Sequence, residues 1–242
     1  MSGAAVIIGA GDDTGAAIAK AFAAEGLKVC VVRRPRHMES LERLVSEIEG
    51  LGGSAHAFGV DARDEEQMTD LFNKLESDVG SIEVVVFNIG ANVRFSIEET
   101  SARVYRKVWE MACFAGFLTG REAARKMLPR NKGTIIFTGA TASLRAGKSY
   151  SAFAGAKFAL RALAQSMAKE LGPENIHVAH VVIDGAIDSG FIRENLDNVD
   201  QLREEDAILS TDDIAENFVW LHKQKRTAWT HELDLRPWKE NW

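Results

Sequence analysis

Short, almost unbroken runs of β-branched residues, each followed by a helical pattern, govern what this chain can fold into. "AAVIIG" (Ala4 to Gly9), "KVCVVR" (Lys28 to Arg33), "IEVVVFN" (Ile82 to Asn88), "GTIIFTG" and "IHVAHVVI" lack the alternation of a strand with one wet face. Such strands must be covered on both faces, which is the condition of a parallel sheet inside two helical layers. "SAHAFGV" reads as a further strand, and "HELDLRPWKENW" as a short strand followed by a Trp-rich tail. Helical periodicity fills the gaps: from about Thr14 to Glu25, in "MESLERLVSEIEGLGG", in "EEQMTDLFNKLESDVG", in a long stretch ending near Met127, and through Lys157 to Leu171.

This alternation predicts an α/β fold: a doubly wound parallel sheet of the Rossmann type, about seven strands, with helices on both faces. No repeat, low-complexity tract or Pro/Gly linker marks a second unit, so one domain is expected over residues 1–242. With 46% hydrophobic and 26% charged positions, a single sizeable core is available. A formal net charge of −6 supplies no basic field for a nucleic-acid backbone or an anionic membrane. Cys30 and Cys113 lie in apolar runs and give neither a disulfide framework nor a metal-ligand spacing. His177 and His180, three apart on a strand, point to opposite faces, so no metal site is expected. The apolar runs are too short to span a bilayer, and the N-terminus enters a strand without a charged leader; the expectation is a cytoplasmic protein.

In such a sheet, ligands sit at the carboxyl ends of the strands, near the point where strand order reverses. "GAGDDTG", Gly9 to Gly15, stands at the first such end. Glycines there let the backbone approach a pyrophosphate, and the helix amides face its charge. The same residues also suit a tight turn with Asp12 or Asp13 as helix cap. Ala16, Ala17 and Ala19 allow the helix to pack close to the sheet. At the end of the second strand, an NAD enzyme would place an acid on the ribose hydroxyls, but Arg33 and Arg34 stand here. Guanidinium groups suit a phosphorylated ribose, so NADP is favoured over NAD; two solvated arginines beside Arg36 are the alternative. Asp12 and Asp13 would oppose a pyrophosphate unless they turn outward or meet a cation such as Arg34, and as good turn formers they are expected to turn outward.

With these motifs, nearly the whole chain resembles the short-chain dehydrogenase/reductase family. The family turn Thr-Gly-x-x-x-Gly-x-Gly matches Ile8, Gly9, Ala10, Gly11, Asp12, Asp13, Thr14 and Gly15, with the middle glycine replaced by Asp13 and the threonine by Ile8. Asn-Asn-Ala-Gly becomes Phe87, Asn88, Ile89 and Gly90. Asp61, followed by Ala62, matches the aspartate that faces the adenine in the family; Asp61 and Asp64 also suit capping of the next helix. The resemblance implies cofactor contacts at Gly9, Gly11, Asp12, Thr14, Gly15, Arg33, Arg34, Asp61, Ala62, Asn88, Gly90 and Lys157. In "IDGAIDSGFI", Asp184 replaces the family's proline, Gly185 is kept, and Ile187 and Ser189 stand near the carboxamide-binding positions.

Family members transfer hydride at a nicotinamide while a tyrosine moves the proton, a lysine four residues later holds the ribose, a serine polarises the carbonyl and an asparagine supports a relay water. The lysine is Lys157, but the tyrosine position is Phe153, the serine position Ala140 and the asparagine position Ala112. A phenyl ring cannot move a proton. Thr141 and Ser143 could bring a hydroxyl into the site, and Tyr150, seven residues before Lys157, would share its helix face one turn beyond the usual tyrosine. A solvent-exposed or subunit-packed Tyr150 is the alternative.

The expected activity is NADP-dependent oxidoreduction of a small carbonyl or alcohol with a non-standard proton donor; a catalytically degenerate NADP-binding or scaffold protein of the same fold is the second possibility. Residues about 185–210, polar and weakly periodic from Gly190 on, suit a mobile substrate-covering segment. The family resemblance implies a homodimer or homotetramer. Trp238 and Trp242 would then cover a neighbouring subunit, or pack within the chain.

Overall fold

The computed structural model describes residues 3–241. One seven-stranded sheet runs in the order β3-β2-β1-β4-β5-β6-β7, every pairing parallel. Its strands are β1 (Ala4–Ile8), β2 (Lys28–Arg33), β3 (Ser54–Gly59), β4 (Ile82–Phe87), β5 (Gly133–Thr138), β6 (Ile176–Ile183) and β7 (Glu232–Leu235). Strand order reverses between β1 and β4, which places the switch-point crevice beside Gly9 and Asn88.

The covered faces follow from the period-two geometry of strands. Along β1, Ala5 and Ile7 enter one core, while Ala4, Val6 and Ile8 enter the other. The first core is closed by α1 (Thr14–Ala24), α2 (Met38–Gly50) and α9 (Thr211–Lys223), through side chains such as Phe22, Leu41 and Phe218. The second is closed by α3 (Glu65–Lys74), α5 (Ala115–Met127) and α6 (Ser151–Leu171), through Phe72, Leu118 and Leu160. No helix among the described residues is long and apolar enough to cross a membrane.

The boundaries depart from sequence expectation in two places. The long helix ending at Met127 is α4 (Ala102–Trp109) and α5, joined by a π-helical turn over Glu110–Phe114. Helix α6 begins only at Ser151, because Ser149 takes a positive φ of 71° and Tyr150 sits at the N-cap with φ −110° and ψ 20°. Tyr150 therefore precedes the helix that carries Lys157 and does not ride on one of its turns. The stretch expected to be mobile contains α7 (Gly190–Asn195) and α8 (Val199–Glu204). Asp188 holds both, accepting from Arg193 Nε at 2.8 Å and Arg203 Nε at 2.6 Å. At the end of the chain, Trp238 donates its indole N–H to the Glu205 carbonyl at 2.9 Å, an intrachain contact, while Trp242 lies outside the described residues.

The first turn depends on close backbone approach. A Cβ on Gly15 would lie 2.6 Å from the Gly9 carbonyl oxygen and 2.8 Å from the Ala10 Cα, both main-chain atoms. Gly9 takes φ +92°, and its Cβ would meet the Asn88 carbonyl at 2.9 Å. Gly90 has nothing within 4 Å of that position. Gly15→Ala is expected to destabilise the fold by ~1–3 kcal/mol in urea denaturation, whereas Gly90→Ala stays within ~0.5 kcal/mol of the parent.

Candidate active site

Two cavities meet at the switch point and share Asn88 and Gly90 on their walls. The larger, about 500 Å³, lies between the ends of β5 and β6 and the start of α6. Thr14, Tyr150, Phe153, Lys157 and Ile187 line it. The smaller, about 210 Å³, is edged by Gly9, Gly11, Arg33, Arg34, Asp61 and Ala62. Tyr150 and Lys157, expected in the chemistry, and Ile187, expected near the carboxamide, thus share the larger cavity with Thr14 of the phosphate turn, while Arg33, Arg34 and Asp61, expected at the adenosine end, share the smaller with Gly9 and Gly11.

Lys157 forms the floor of the larger cavity. Its side chain is fully enclosed, and Nζ donates to the Thr138 carbonyl at 2.8 Å and the Ile89 carbonyl at 3.3 Å. Burial lowers its pKa to about 8, because desolvation penalises an ammonium that carbonyl dipoles only partly stabilise. Asn88 Nδ2 donates to the Gly9 carbonyl at 3.2 Å and ties the end of β4 to the first turn.

The two turn carboxylates behave differently. Asp12 points outward and pairs with Arg33 Nη1 at 3.3 Å, not with Arg34. The same Nη1 also donates to Ser40 Oγ at 3.0 Å. Arg34 makes no hydrogen bond or ion pair among the described residues and lines the smaller cavity. Its pKa is lowered by burial and by Arg36, Arg63 and Arg33 around it, the mark of a cationic cluster that an anion would relieve. Asp13 stands at the N-cap of α1 without capping it; its Oδ1 instead accepts from the Gly190 amide at 2.9 Å. Asp61 accepts from Arg63 Nε at 2.9 Å and from the Arg63 amide at 3.1 Å, which holds its carboxyl below the usual range, while Asp64 caps α3 through the Gln67 amide. Ser189 caps α7 and does not reach the larger cavity.

At Ala112, Ala140 and Phe153, the positions that the resemblance implies for proton-handling groups, the chain builds an apolar patch. Ala112, Phe153, Ala142 and Val108 pack as one cluster, with Ala140 and Tyr150 against its edge. Thr141 lines the larger cavity, but its hydroxyl donates to Asp184 Oδ1 at 2.7 Å. Ser143 is fully buried and turned back, its Oγ accepting from the Ala140 amide at 3.1 Å, so it does not reach the cavity as expected. Tyr150 is half-buried on the cavity wall, with no hydrogen bond from its hydroxyl among the described residues.

Arg145 and Thr138 line the same cavity and escaped sequence reasoning. An aspartate in place of proline at position 184 was the signal for Arg145, since a buried carboxylate requires a cation. Nothing in the sequence singles out Thr138, whose enclosed hydroxyl has no partner among the described residues.

Because the Lys157 pKa falls from 10.5 to about 8 on folding, the unfolded chain binds the extra proton between those values, and stability rises with pH across that window. The full difference corresponds to about 3 kcal/mol. Subtracting the pH-stability curve of Lys157→Met from that of the parent should isolate this rise; parallel curves between pH 8 and 10.5 would place the ammonium in a solvated setting.

Fold and site can be set beside known proteins. The short chain dehydrogenase family profile matches residues 3–199. A short-chain dehydrogenase from Rhodopseudomonas palustris, known from its crystal structure, is 47% identical and superposes with a TM-score of 0.84, covering 98% of this chain and 99% of that one. Gluconate 5-dehydrogenase of Gluconobacter oxydans is 30% identical over 181 residues, 74% of this chain and 69% of that protein. Such relatives are matched over about two thirds of their own length. A metagenomic short-chain oxidoreductase solved in complex with NADP shares the fold, with a TM-score of 0.82 at 24% identity over 97% of this chain and 96% of that one. On the extent of the family match and the likeness to the Rhodopseudomonas protein, this chain belongs to the short-chain dehydrogenase family.

Proposed function

We propose that the chain is an NADP-preferring oxidoreductase that interconverts a small carbonyl compound and its alcohol, with Tyr150 replacing the missing tyrosine as proton donor and acceptor. One observation carries the proposal: Tyr150 and Lys157 line one cavity that joins, through Asn88 and Gly90, a second cavity edged by the unpaired Arg34. A dinucleotide fits the groups present, since Gly11 and Gly90 leave open the space that a Cβ would fill. When bound, a nicotinamide supplies hydride to the substrate carbon or takes it away.

The chain's own residues divide the remaining work. Gly9, Gly11 and the first amides of α1 receive the phosphates. Arg34 meets the 2′-phosphate, with Arg33 held beside it by Asp12. Lys157 orients the ribose and, as a buried cation, favours the phenolate form of a nearby tyrosine. Phe153 and Ala112 keep water away from the reacting carbon. The metagenomic oxidoreductase that carries NADP supports the choice of cofactor. The proposal includes assembly into a homodimer or homotetramer, supported by the rings of Tyr105, Trp109 and Phe117, exposed on α4 and α5.

A second reading, cofactor binding without catalysis, draws on the apolar cluster at Phe153 and Ala112 and on the commitment of the Thr141 hydroxyl to Asp184. Titration with NADPH and NADH, followed by tryptophan quenching, tests the shared part. NADPH is expected to bind more tightly, and Arg34→Ala to weaken it by roughly 10- to 100-fold with little effect on NADH. Tyr150→Phe should lower kcat on a carbonyl substrate by ~10²- to 10⁴-fold at unchanged NADPH affinity. Unchanged kcat would remove Tyr150 from the chemistry, and absence of turnover across a carbonyl panel despite tight NADPH binding would favour the second reading.

A further inference from the structure

Resting on that oxidoreductase reading, we propose that the substrate carries a carboxylate and that Arg145 recognises it. Arg145 faces the larger cavity with 40% of its side chain exposed, while its partner Asp184 is fully buried behind it. Nη1 and Nη2 each donate to a different oxygen of that carboxylate at 3.0 Å, a bidentate clamp. Thr141 completes the setting from the Oδ1 side at 2.7 Å, and Arg236 approaches Oδ2 at 3.7 Å. An enclosed carboxylate is costly to desolvate, and here its hydrogen bonds fix the plane of a guanidinium that remains open to a ligand.

Donors remain for that ligand. A guanidinium has five N–H groups in a fixed fork. Two go to Asp184 and a third reaches the Asn241 carbonyl only at 3.5 Å. The electrostatics point the same way: among the described residues, the charged side chains lining the cavity are Arg145 and Lys157, with no acid beside them. The Arg94 guanidinium sits 5.9 Å from the centre of the Tyr150 ring. Lys157 is enclosed and bonded to main-chain carbonyls, so Arg145 is the cation placed to meet a substrate anion. A neutral carbonyl compound would use none of this; a 2-oxo or 2-hydroxy acid would place its carboxylate on the fork and its reacting oxygen toward Tyr150.

The test uses the full chain loaded with NADP and titrates straight-chain 2-oxo acids of about three to six carbons against their amides, sizes that fit comfortably in the cavity. At least one acid is expected to bind about tenfold or more tightly than its amide, as a charge-assisted hydrogen-bonded pair implies. Arg145→Gln should erase the preference while NADPH affinity stays within about threefold, and Arg145→Lys, charged but without the planar fork, should retain part of it. Equal binding of acids and amides throughout the series overturns the proposal. So does an Arg145→Gln protein that loses NADPH by the same factor, which would assign Arg145 to the cofactor. If Arg145→Gln does not fold, the acid-amide comparison on the parent decides alone. Failure to bind NADPH would sink the oxidoreductase reading, and the same comparison on the unloaded chain would still decide the carboxylate site.

Discussion

A buried ammonium without a carboxylate partner is an expensive thing to place at the centre of a fold, and Lys157 is held there by main-chain carbonyls from two different strand ends. Thr138 terminates β5 and Ile89 follows β4, so one side chain on α6 fixes the distance between both strands and the helix. The glycines at the first turn and Asn88 on the Gly9 carbonyl extend that arrangement to β1. The crevice keeps its shape because polar main-chain groups that end the strands find partners across it.

Around that cation the cavity wall is part apolar and part polar. Ala112, Ala142 and Phe153 pack together as a small apolar core, which needs no hydrogen-bond partners, whereas a half-satisfied polar network in its place would be costly. The polar side chains that line the cavity nearby are Tyr150 at the helix cap and Arg145 on the preceding loop. The Asp184 carboxylate stands where a proline would leave no side-chain acceptor, and it draws both Thr141 and Arg145 into a single arrangement.

The fold was legible because the signals that specify it are local. A strand covered on both faces announces itself by its Val and Ile content, and β2, β4, β5 and β6 lie where those runs lie. Helix interiors were legible for the same reason, whereas the π turn at 110–114 and the late start of α6 at Ser151 depend on backbone geometry that composition does not encode. At the site, glycines, Asn88 and Lys157 have the spacing that carries the family resemblance, and Arg34, Asp61, Tyr150 and Ile187, also expected there, line the two cavities. Pairings between distant residues were hidden: Arg145 meets Asp184 39 residues away, and Arg33 meets Asp12 across 21. Ser143 Oγ caps its own turn at the Ala140 amide, a placement that residue type alone does not encode.

The bond from the Gly190 amide to Asp13 joins groups 177 residues apart. Closing so long a loop carries an entropic cost that the intervening sheet offsets by bringing the two segments together. The β1–α1 turn is thus held from two distant parts of the sequence, its own residues and the segment that follows β6. Its shape is therefore a property of the whole sheet and not of the turn alone.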